Sequence, residues 1–240
     1  LAAMIPNCVS YDATYGYELA VIIQDGLKRM FQDKENKFYY LTVMNENYPQ
    51  PALPAGSEAG IIKGLYKLEA GKASVKKRVQ LMGSGTILRE VRAAAEILRD
   101  EYKVEADVWS ATSFNELRRE ALDCDRWNML HPEEALRVSY VAQCLANAKG
   151  PVIAATDYIK AYADQIREFV PGLYRVLGTD GFGRSDTRAK LRQFFEVNRY
   201  YVVVAALRAL ADEGSIKHSE VSKAIKKFNI DPEKPNPVTV

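Results

Sequence analysis

The chain has 240 residues, of which 48% are hydrophobic, enough for one large α/β domain, or for a domain and part of another, around a sizeable core. Its 33 basic and 31 acidic residues give a formal charge of +2, which predicts no nucleic-acid partner. The basic run at residues 72–78 is short and lacks aromatic residues, so we expect a solvated turn there. Cys8, Cys124 and Cys144 stand at scattered spacings that favour reduced thiols in a cytoplasmic protein, and no apolar run reaches the roughly 18 to 20 residues of a membrane span.

Helix and strand signals alternate in the first part of the chain. KFYYLTVM at residues 37–44 is aromatic and β-branched and predicts a strand, whereas residues 14–33 predict a helix. The apolar residues at helical spacing in that helix are Ala20, Ile23, Leu27, Met30 and Phe31. Residues 45–60 are rich in proline and glycine, which neither a helix interior nor a central strand accommodates. They predict a domain boundary.

Beyond residue 60 the pattern predicts strands separated by helices. RVQLMGSG at residues 78–85 has the continuous apolar character of a buried strand, and a helix with one apolar face follows at residues 86–101. Further strands are predicted at residues 106–111, 150–156 and 174–180, with a helix near 158–169. This alternation predicts an α/β fold with a mostly parallel sheet covered by helices on both faces.

The last part of the chain predicts two helices. Asn198 is a good N-cap for a helix that ends at Gly214, and Val221, Ile225 and Phe228 mark one further helix before Pro232.

Two glycine-rich turns are candidates for ligand binding. MGSGT at residues 82–86 lies between a strand and a helix, where backbone N–H groups could hold an anion, but it lacks the third glycine of a dinucleotide fingerprint and the lysine of a P-loop. A tight turn without ligand is the favoured interpretation. In GTDGFGRSDT at residues 178–187, Phe182 stands where a calcium loop needs an oxygen ligand, and Leu191 stands where it needs a glutamate. We expect a turn in which Ser185 or Asp186 caps the next helix.

Few side chains are suited to acid, base or nucleophilic chemistry. His131 and His218 are the two histidines; we expect His218 to be exposed at a helix start and His131 to be packed beside Trp127. Cys124 has aspartates on both sides, so we expect a buried thiol and no activated nucleophile.

A polar loop follows the strand at residues 37–44. It consists of Asn45, Glu46, Asn47 and Tyr48. Sites of α/β proteins gather at the carboxyl ends of strands, so this loop is a candidate for a position near a substrate channel. A loop that only forms a turn is the alternative.

Three long stretches carry a resemblance to a known family. GTDGFGRSDTRAKLRQFFEVN, TSFNELRREALDCDRWNMLHP and NENYPQPALP resemble the C-terminal portion of the homodimeric bacterial pyruvate dehydrogenase first component, a thiamine-diphosphate enzyme of the transketolase superfamily. GSGTILREVRAAAEIL and FGRSDTRAKLRQFFEV are similar to segments of transketolase C-terminal domains. The likeness runs along essentially the whole chain.

The resemblance implies a division of the chain. Residues 1–55 would be the last helix and strand of the domain that binds the pyrimidine ring of the cofactor, residues 56–61 a linker, and residues 62–240 a transketolase C-terminal-like domain. The family's diphosphate and magnesium motif, GDG followed by an asparagine, has no counterpart in QDGL or TDGF of this chain. We therefore expect no catalytic, cofactor-binding or metal-binding residue here, and no activity of these residues alone.

The resemblance also implies a function for the longer parent enzyme. It would decarboxylate pyruvate with thiamine diphosphate and magnesium and transfer the acetyl group to the lipoyl domain of dihydrolipoyl acetyltransferase. This segment would then be structural and would help to form a homodimer. Val43 or Met44 stands where transketolases carry an arginine that grips a sugar phosphate, which agrees with a substrate that has no phosphate. The alternative is a free-standing α/β module that holds an anionic metabolite at MGSGT.

Overall fold

The computed structural model describes residues 2–240, which form a two-stranded sheet, a five-stranded sheet and the helices around them. The elements are β1 (Cys8–Asp12), α1 (Gly16–Leu27), β2 (Phe38–Thr42), α2 (Glu58–Lys63), β3 (Tyr66–Glu69), β4 (Arg78–Gly83), α3 (Ile87–Tyr102), β5 (Glu105–Ser110), α4 (Phe114–Leu130), α5 (Tyr140–Leu145), β6 (Val152–Ala155), α6 (Lys160–Asp164), β7 (Tyr174–Leu177), α7 (Arg188–Phe194), α8 (Arg199–Asp212) and α9 (His218–Lys227).

The two-stranded sheet joins β1 to β2 in parallel, with α1 as the connection. Cys8 pairs with Phe38 at one end of the sheet and Asp12 with Thr42 at the other. The helix continues through a π-helical turn at Lys28–Gln32, so the helix predicted for residues 14–33 is confirmed.

The buried face of α1 differs from the apolar stripe of the sequence. Glu18, Ile22 and Gly26 are buried, whereas Ile23, Leu27 and Phe31 are exposed, Phe31 to 72%. The reason lies at Gly26, where an added Cβ would approach the ring of Tyr39 to 3.3 Å. The small residue lets α1 pack closely on β2, and this contact turns the apolar stripe outward.

The five-stranded sheet has the order β3-β5-β4-β6-β7, in which β3 is antiparallel and the other strands are parallel. The central strands β4, β5 and β6 are buried along their whole length, because helices cover both faces of the sheet. On β4, Leu81 packs in the cluster with α3 and α8, whereas Met82 packs in the cluster with α4 and α5. The predicted α/β class is confirmed.

Several local expectations need correction. Residues 58–61 of the predicted linker form the first part of α2, where Gly60 and Ile61 are buried. The helix predicted near residues 158–169 is divided into α6 and a 3-10 turn at Arg167–Phe169. Arg78 is not part of a solvated turn, since it begins β4 and lies buried against Asp107 at 2.7 Å.

One predicted helix cap is confirmed and the other is wrong. Asn198 caps α8 as predicted, because its side chain accepts hydrogen bonds from the backbone N–H groups of Tyr200 and Tyr201. Thr187 caps α7 instead of Ser185 or Asp186: it has the extended backbone of an N-cap, and its hydroxyl accepts from the N–H of Lys190. The Asp186 carboxylate is bound to the N–H of Thr187.

Candidate functional site

Glu18 connects the β1–α1–β2 unit to the five-stranded sheet. Its fully buried carboxylate accepts hydrogen bonds from four groups: the backbone N–H groups of Thr14 (2.6 Å) and Tyr15 (3.0 Å), the Tyr66 hydroxyl (2.7 Å) and the Ser110 hydroxyl (2.6 Å). Tyr66 and Ser110 lie on β3 and β5. This buried anion therefore fixes the position of α1, and with it the end of β2, where the predicted loop begins.

The two units also meet at the crevice between the carboxyl ends of β4 and β6. Here the strand order reverses, since β5 lies on one side of β4 and β6 on the other, and open α/β sheets bind ligands at such a point. The Ser84 and Thr156 hydroxyls lie 3.0 Å apart across the crevice, and the Gly85 N–H donates to the carbonyl of Asp12 at 3.1 Å. A Cβ on Gly85 would lie 2.7 Å from both carboxylate oxygens of Asp12. The MGSGT turn thus faces a carboxylate of the chain itself, which disfavours an external anion.

Asp12 is a buried carboxyl group with incomplete hydrogen bonding. Its Oδ1 accepts from the Thr42 hydroxyl at 2.8 Å, and its Oδ2 has no hydrogen-bond partner among residues 2–240. Burial raises the pKa of Asp12 to about 6, against the lowering effect of the bond from Thr42. The carboxyl group therefore gains or loses its proton near neutral pH.

The predicted loop after β2 is the centre of an arginine cluster. Glu46 forms ion pairs with Arg89, Arg188 and Arg192, the last at 2.8 Å, and Asn45 accepts a hydrogen bond from Arg188. Tyr48 donates to the carbonyl of Thr14 and packs its ring under the Arg89 guanidinium at 4.7 Å. Asn47 is exposed. The structure thus places Asn45, Glu46 and Tyr48 in one network with α3 and α7.

A second glutamate extends this network. Glu90 on α3 contacts Arg192 at 3.5 Å and Arg199 at 2.9 Å. Although burial alone would raise the pKa values of Glu46 and Glu90, hydrogen bonds and charges of the arginines hold both below the usual value. Both glutamates therefore stay ionised near neutral pH and hold the arginines in place.

A cavity of about 360 Å³ opens beside this network, at the carboxyl ends of β6 and β7. Three arginines on its wall, Arg184, Arg188 and Arg192, were not among the residues singled out from the sequence. Arg188 and Arg192 stand four residues apart, a spacing that places side chains on one side of a helix and that could have found these two. Arg184 precedes α7, so this signal does not apply to it.

The other titratable candidates lie apart from this network. The His131 ring stacks on Trp127 with 3.5 Å between ring centroids, as predicted for a packed residue, and His218 is exposed at the start of α9. Cys124 is buried, which together with its bond to Glu120 raises the pKa of its thiol to about 11. A thiol with that pKa is a poor nucleophile at neutral pH.

The two Asp-Gly pairs have structural partners. Asp25 of QDGL accepts from the Tyr39 hydroxyl at 3.0 Å, and Asp180 of TDGF accepts from the backbone N–H of Lys160 at 2.9 Å. Residues 2–240 contain no group of three or more His, Cys, Asp or Glu side chains placed to hold a metal ion. No helix in the described part of the chain is long and apolar enough to cross a membrane.

Known protein families match two parts of the chain. The family described as Transketolase-like TK C-terminal domain matches residues 64–198, and the family described as Pyruvate dehydrogenase E1 component middle domain matches residues 1–51.

Solved structures of transketolases share the fold. The transketolase of Campylobacter jejuni gives a TM-score of 0.59 at 16% identity, over 86% of this chain and 27% of that one. A structure described as split gene transketolase, inactive beta4 tetramer, gives a TM-score of 0.51 at 17% identity, over 88% of this chain and 59% of that one. At these identities the likeness establishes the fold alone.

Curated relatives are much closer in sequence. The pyruvate dehydrogenase E1 component of Cupriavidus necator is 60% identical over 239 residues, which are 99% of this chain and 27% of the relative. That of Escherichia coli K12 is 59% identical over 235 residues, which are 97% of this chain and 26% of the relative. The chain thus spans about a quarter of the length of these relatives. It belongs to the family of transketolase-like C-terminal domains, and along nearly its whole length it resembles pyruvate dehydrogenase E1 components.

Proposed function

We propose that the chain is the C-terminal part of an E1 component that decarboxylates pyruvate with thiamine diphosphate and magnesium. In this proposal the acetyl group passes to the lipoyl domain of dihydrolipoyl acetyltransferase, and the enzyme is a cytoplasmic homodimer. The observation that carries it is the identity of 59 to 60% along 97 to 99% of the chain to proteins named pyruvate dehydrogenase E1 component. Val43 and Met44, in place of a phosphate-gripping arginine, agree with pyruvate as substrate.

In this proposal the segment has a structural role and contributes no catalytic group. Residues 1–55 would complete a middle domain and residues 62–240 would form the C-terminal domain, a division supported by the positions of the two family matches. The contacts of Glu18 would hold the two domains together. The predicted loop at Asn45, Glu46, Asn47 and Tyr48 would lie near the substrate channel of the parent enzyme.

The residues present do not fit the cofactor by themselves. Asp25 and Asp180, the aspartates of the two Asp-Gly pairs, are bound to Tyr39 and to the backbone of Lys160. Asp12, the carboxyl group at the strand-order reversal, faces a glycine turn of the chain. We therefore assign no step of the reaction to a residue of this segment.

A chimera tests the proposal. The corresponding quarter of the Cupriavidus necator E1 component is replaced by this chain, and decarboxylation of pyruvate is measured with an artificial electron acceptor and then with the acetyltransferase. We expect a rate within about tenfold of the parent, because exchanged surface residues seldom change stability by more than about 0.5 kcal/mol. The 240-residue chain alone should show no thiamine diphosphate binding and no decarboxylation.

Two controls keep the outcome interpretable. The same relative without its C-terminal quarter should be inactive, which ties the rate of the chimera to this chain. A chimera that folds and binds thiamine diphosphate yet leaves pyruvate unchanged would contradict the proposed reaction, and cofactor binding by the isolated chain would contradict the assignment of the cofactor site to the rest of the enzyme.

A further inference from the structure

We propose that the cavity at the carboxyl ends of β6 and β7 binds a small organic anion that combines a carboxylate or phosphate head with an apolar body. The cavity, of about 360 Å³, has the size of a small-molecule site and lies at the edge of the sheet where α/β proteins bind ligands. The proposal goes beyond the E1 function and does not depend on it, since it concerns groups of this chain alone.

The charge on the cavity wall favours an anion. Three arginines, Arg184, Arg188 and Arg192, face one carboxyl group, that of Asp157. The surrounding network does not neutralise the excess of positive charge, because its carboxylates, Glu46 and Glu90, also pair with two further arginines, Arg89 and Arg199. Five arginines thus share three carboxyl groups. Burial raises the pKa of Asp157 above its ordinary value, against the lowering effect of Arg192 and Arg188.

Arg184 and Arg188 are the arginines with donors left for a ligand. Arg192 lies between Glu46 and Glu90, and its side chain is only 11% exposed. Arg188 is 44% exposed and lies 3.7 Å from the Glu46 carboxylate. Within residues 2–240, Arg184 forms no ion pair with a carboxylate, and its guanidinium lies 5.1 Å from the centroid of the Phe194 ring. Guanidinium groups bind carboxylates and phosphates through paired N–H donors, so these two residues supply the head-group site.

The rest of the wall favours an apolar body. Met44, Leu191, Phe195 and Val197 line the cavity together with the arginines. Phe182, which is 79% exposed, lies between Gly181 and Gly183, and both glycines belong to the wall. A ligand of pure charge, such as inorganic phosphate, would leave this apolar surface in contact with water and would bind more weakly than an anion that covers it.

Calorimetric titration with four small probes tests the proposal. Benzoate and phenyl phosphate carry the two head groups on the same ring, benzamide carries the ring without charge, and inorganic phosphate carries charge without the ring. We expect saturable binding of benzoate or phenyl phosphate, at least roughly tenfold tighter than benzamide, because a charge-assisted hydrogen bond contributes about a factor of ten or more. Inorganic phosphate should also bind roughly tenfold more weakly or worse, because it buries no apolar surface. The tighter of the two anions identifies the head group.

Variants locate the site on the protein. The double variant Arg184→Gln/Arg188→Gln should weaken binding of the anion roughly tenfold or more, whereas Arg118→Gln, an exposed arginine on α4, should leave it unchanged. Circular dichroism checks that both variants are folded, and a Phe182→Trp reporter should change its fluorescence on binding. Benzamide binding as tightly as the anions, an equal effect of Arg118→Gln, or no saturable binding of either anion would overturn the proposal.

Discussion

At the scale of single residues, Asp12 makes the stability of the chain depend on pH. Its pKa of about 6 in the folded chain lies above the ordinary value of 3.8, so the folded state binds the proton more tightly than the unfolded state does. The stabilisation by this group is complete at low pH and is lost as the pH rises from about 4 to about 6. The difference of about two pKa units between the folded and unfolded states corresponds to a loss of about 3 kcal/mol in the free energy of unfolding.

The variant Asp12→Asn should remove this dependence. The free energy of unfolding is measured in urea for the variant and for the natural chain, so that the effects of other carboxyl groups cancel in the difference. The variant's value relative to that of the natural chain should rise by about 2 to 3 kcal/mol between about pH 4 and pH 7.5. Asp33→Asn, at an exposed position, should change stability by less than about 0.5 kcal/mol at either pH. A difference for Asp12→Asn that stays constant with pH would contradict the prediction, because it would show that folding does not raise the pKa of Asp12.

At the scale of elements, α8 depends on its N-cap. The Asn198 side chain accepts from the N–H groups of Tyr200 (3.1 Å) and Tyr201 (3.2 Å), which have no partner within the helix. Replacing Asn198 by Ala should lower the free energy of unfolding by about 1 kcal/mol, whereas Ser should keep it within a few tenths. Equal stabilities of the Ala and Ser variants in urea unfolding would contradict a capping role.

Most helices and strands could be predicted because their signals are local. The buried strand β6 is a continuous apolar run, VIAA, and a cap such as Asn198 acts on the next three residues. The short antiparallel strand β3 was not predicted, although YKLE alternates apolar and polar residues between Gly64 and Gly71, because four residues are the shortest stretch in which such alternation indicates a strand. Which side of α1 faces solvent could not be predicted either, because it depends on the contact between Gly26 of α1 and Tyr39 of β2, 13 residues further along the chain.

The candidate site could be predicted only in part. Asn45, Glu46 and Tyr48 follow a strand end, and that position is a local signal. Their partners are not local: Arg188 lies 143 residues from Asn45, and Arg192 lies 146 residues from Glu46. The spacing of Arg188 and Arg192 places both on one side of α7, but it does not reveal which carboxylates they meet, because that depends on how α7 packs beside the end of β2.

At the scale of the whole molecule, the coupling of the two units depends on Glu18. Glu18→Gln replaces a carboxylate oxygen by an N–H₂ group that points at hydroxyl or N–H donors, so it should lower the free energy of unfolding by about 2 to 4 kcal/mol. Hydrogen exchange should increase first in β1 and α1, where the unit loses its link to β3 and β5. Glu96→Gln, an exposed carboxylate on α3, is the matched control and should cost less than about 0.5 kcal/mol. An equal cost for both variants would refute the coupling.

The two-stranded sheet has a consequence for the chain in concentrated solution. In the described part of the chain β2 pairs with β1 on one edge, and its other edge carries backbone donors and acceptors without a strand partner. Phe38 and Tyr40 are exposed on the same strand, Tyr40 to 56%. Such an edge is a template for further strands, and this one lacks the prolines and bulges that usually blunt it. This edge is therefore a site at which copies of the chain can associate, and a charged residue at Tyr40 should raise the concentration at which the chain stays monodisperse.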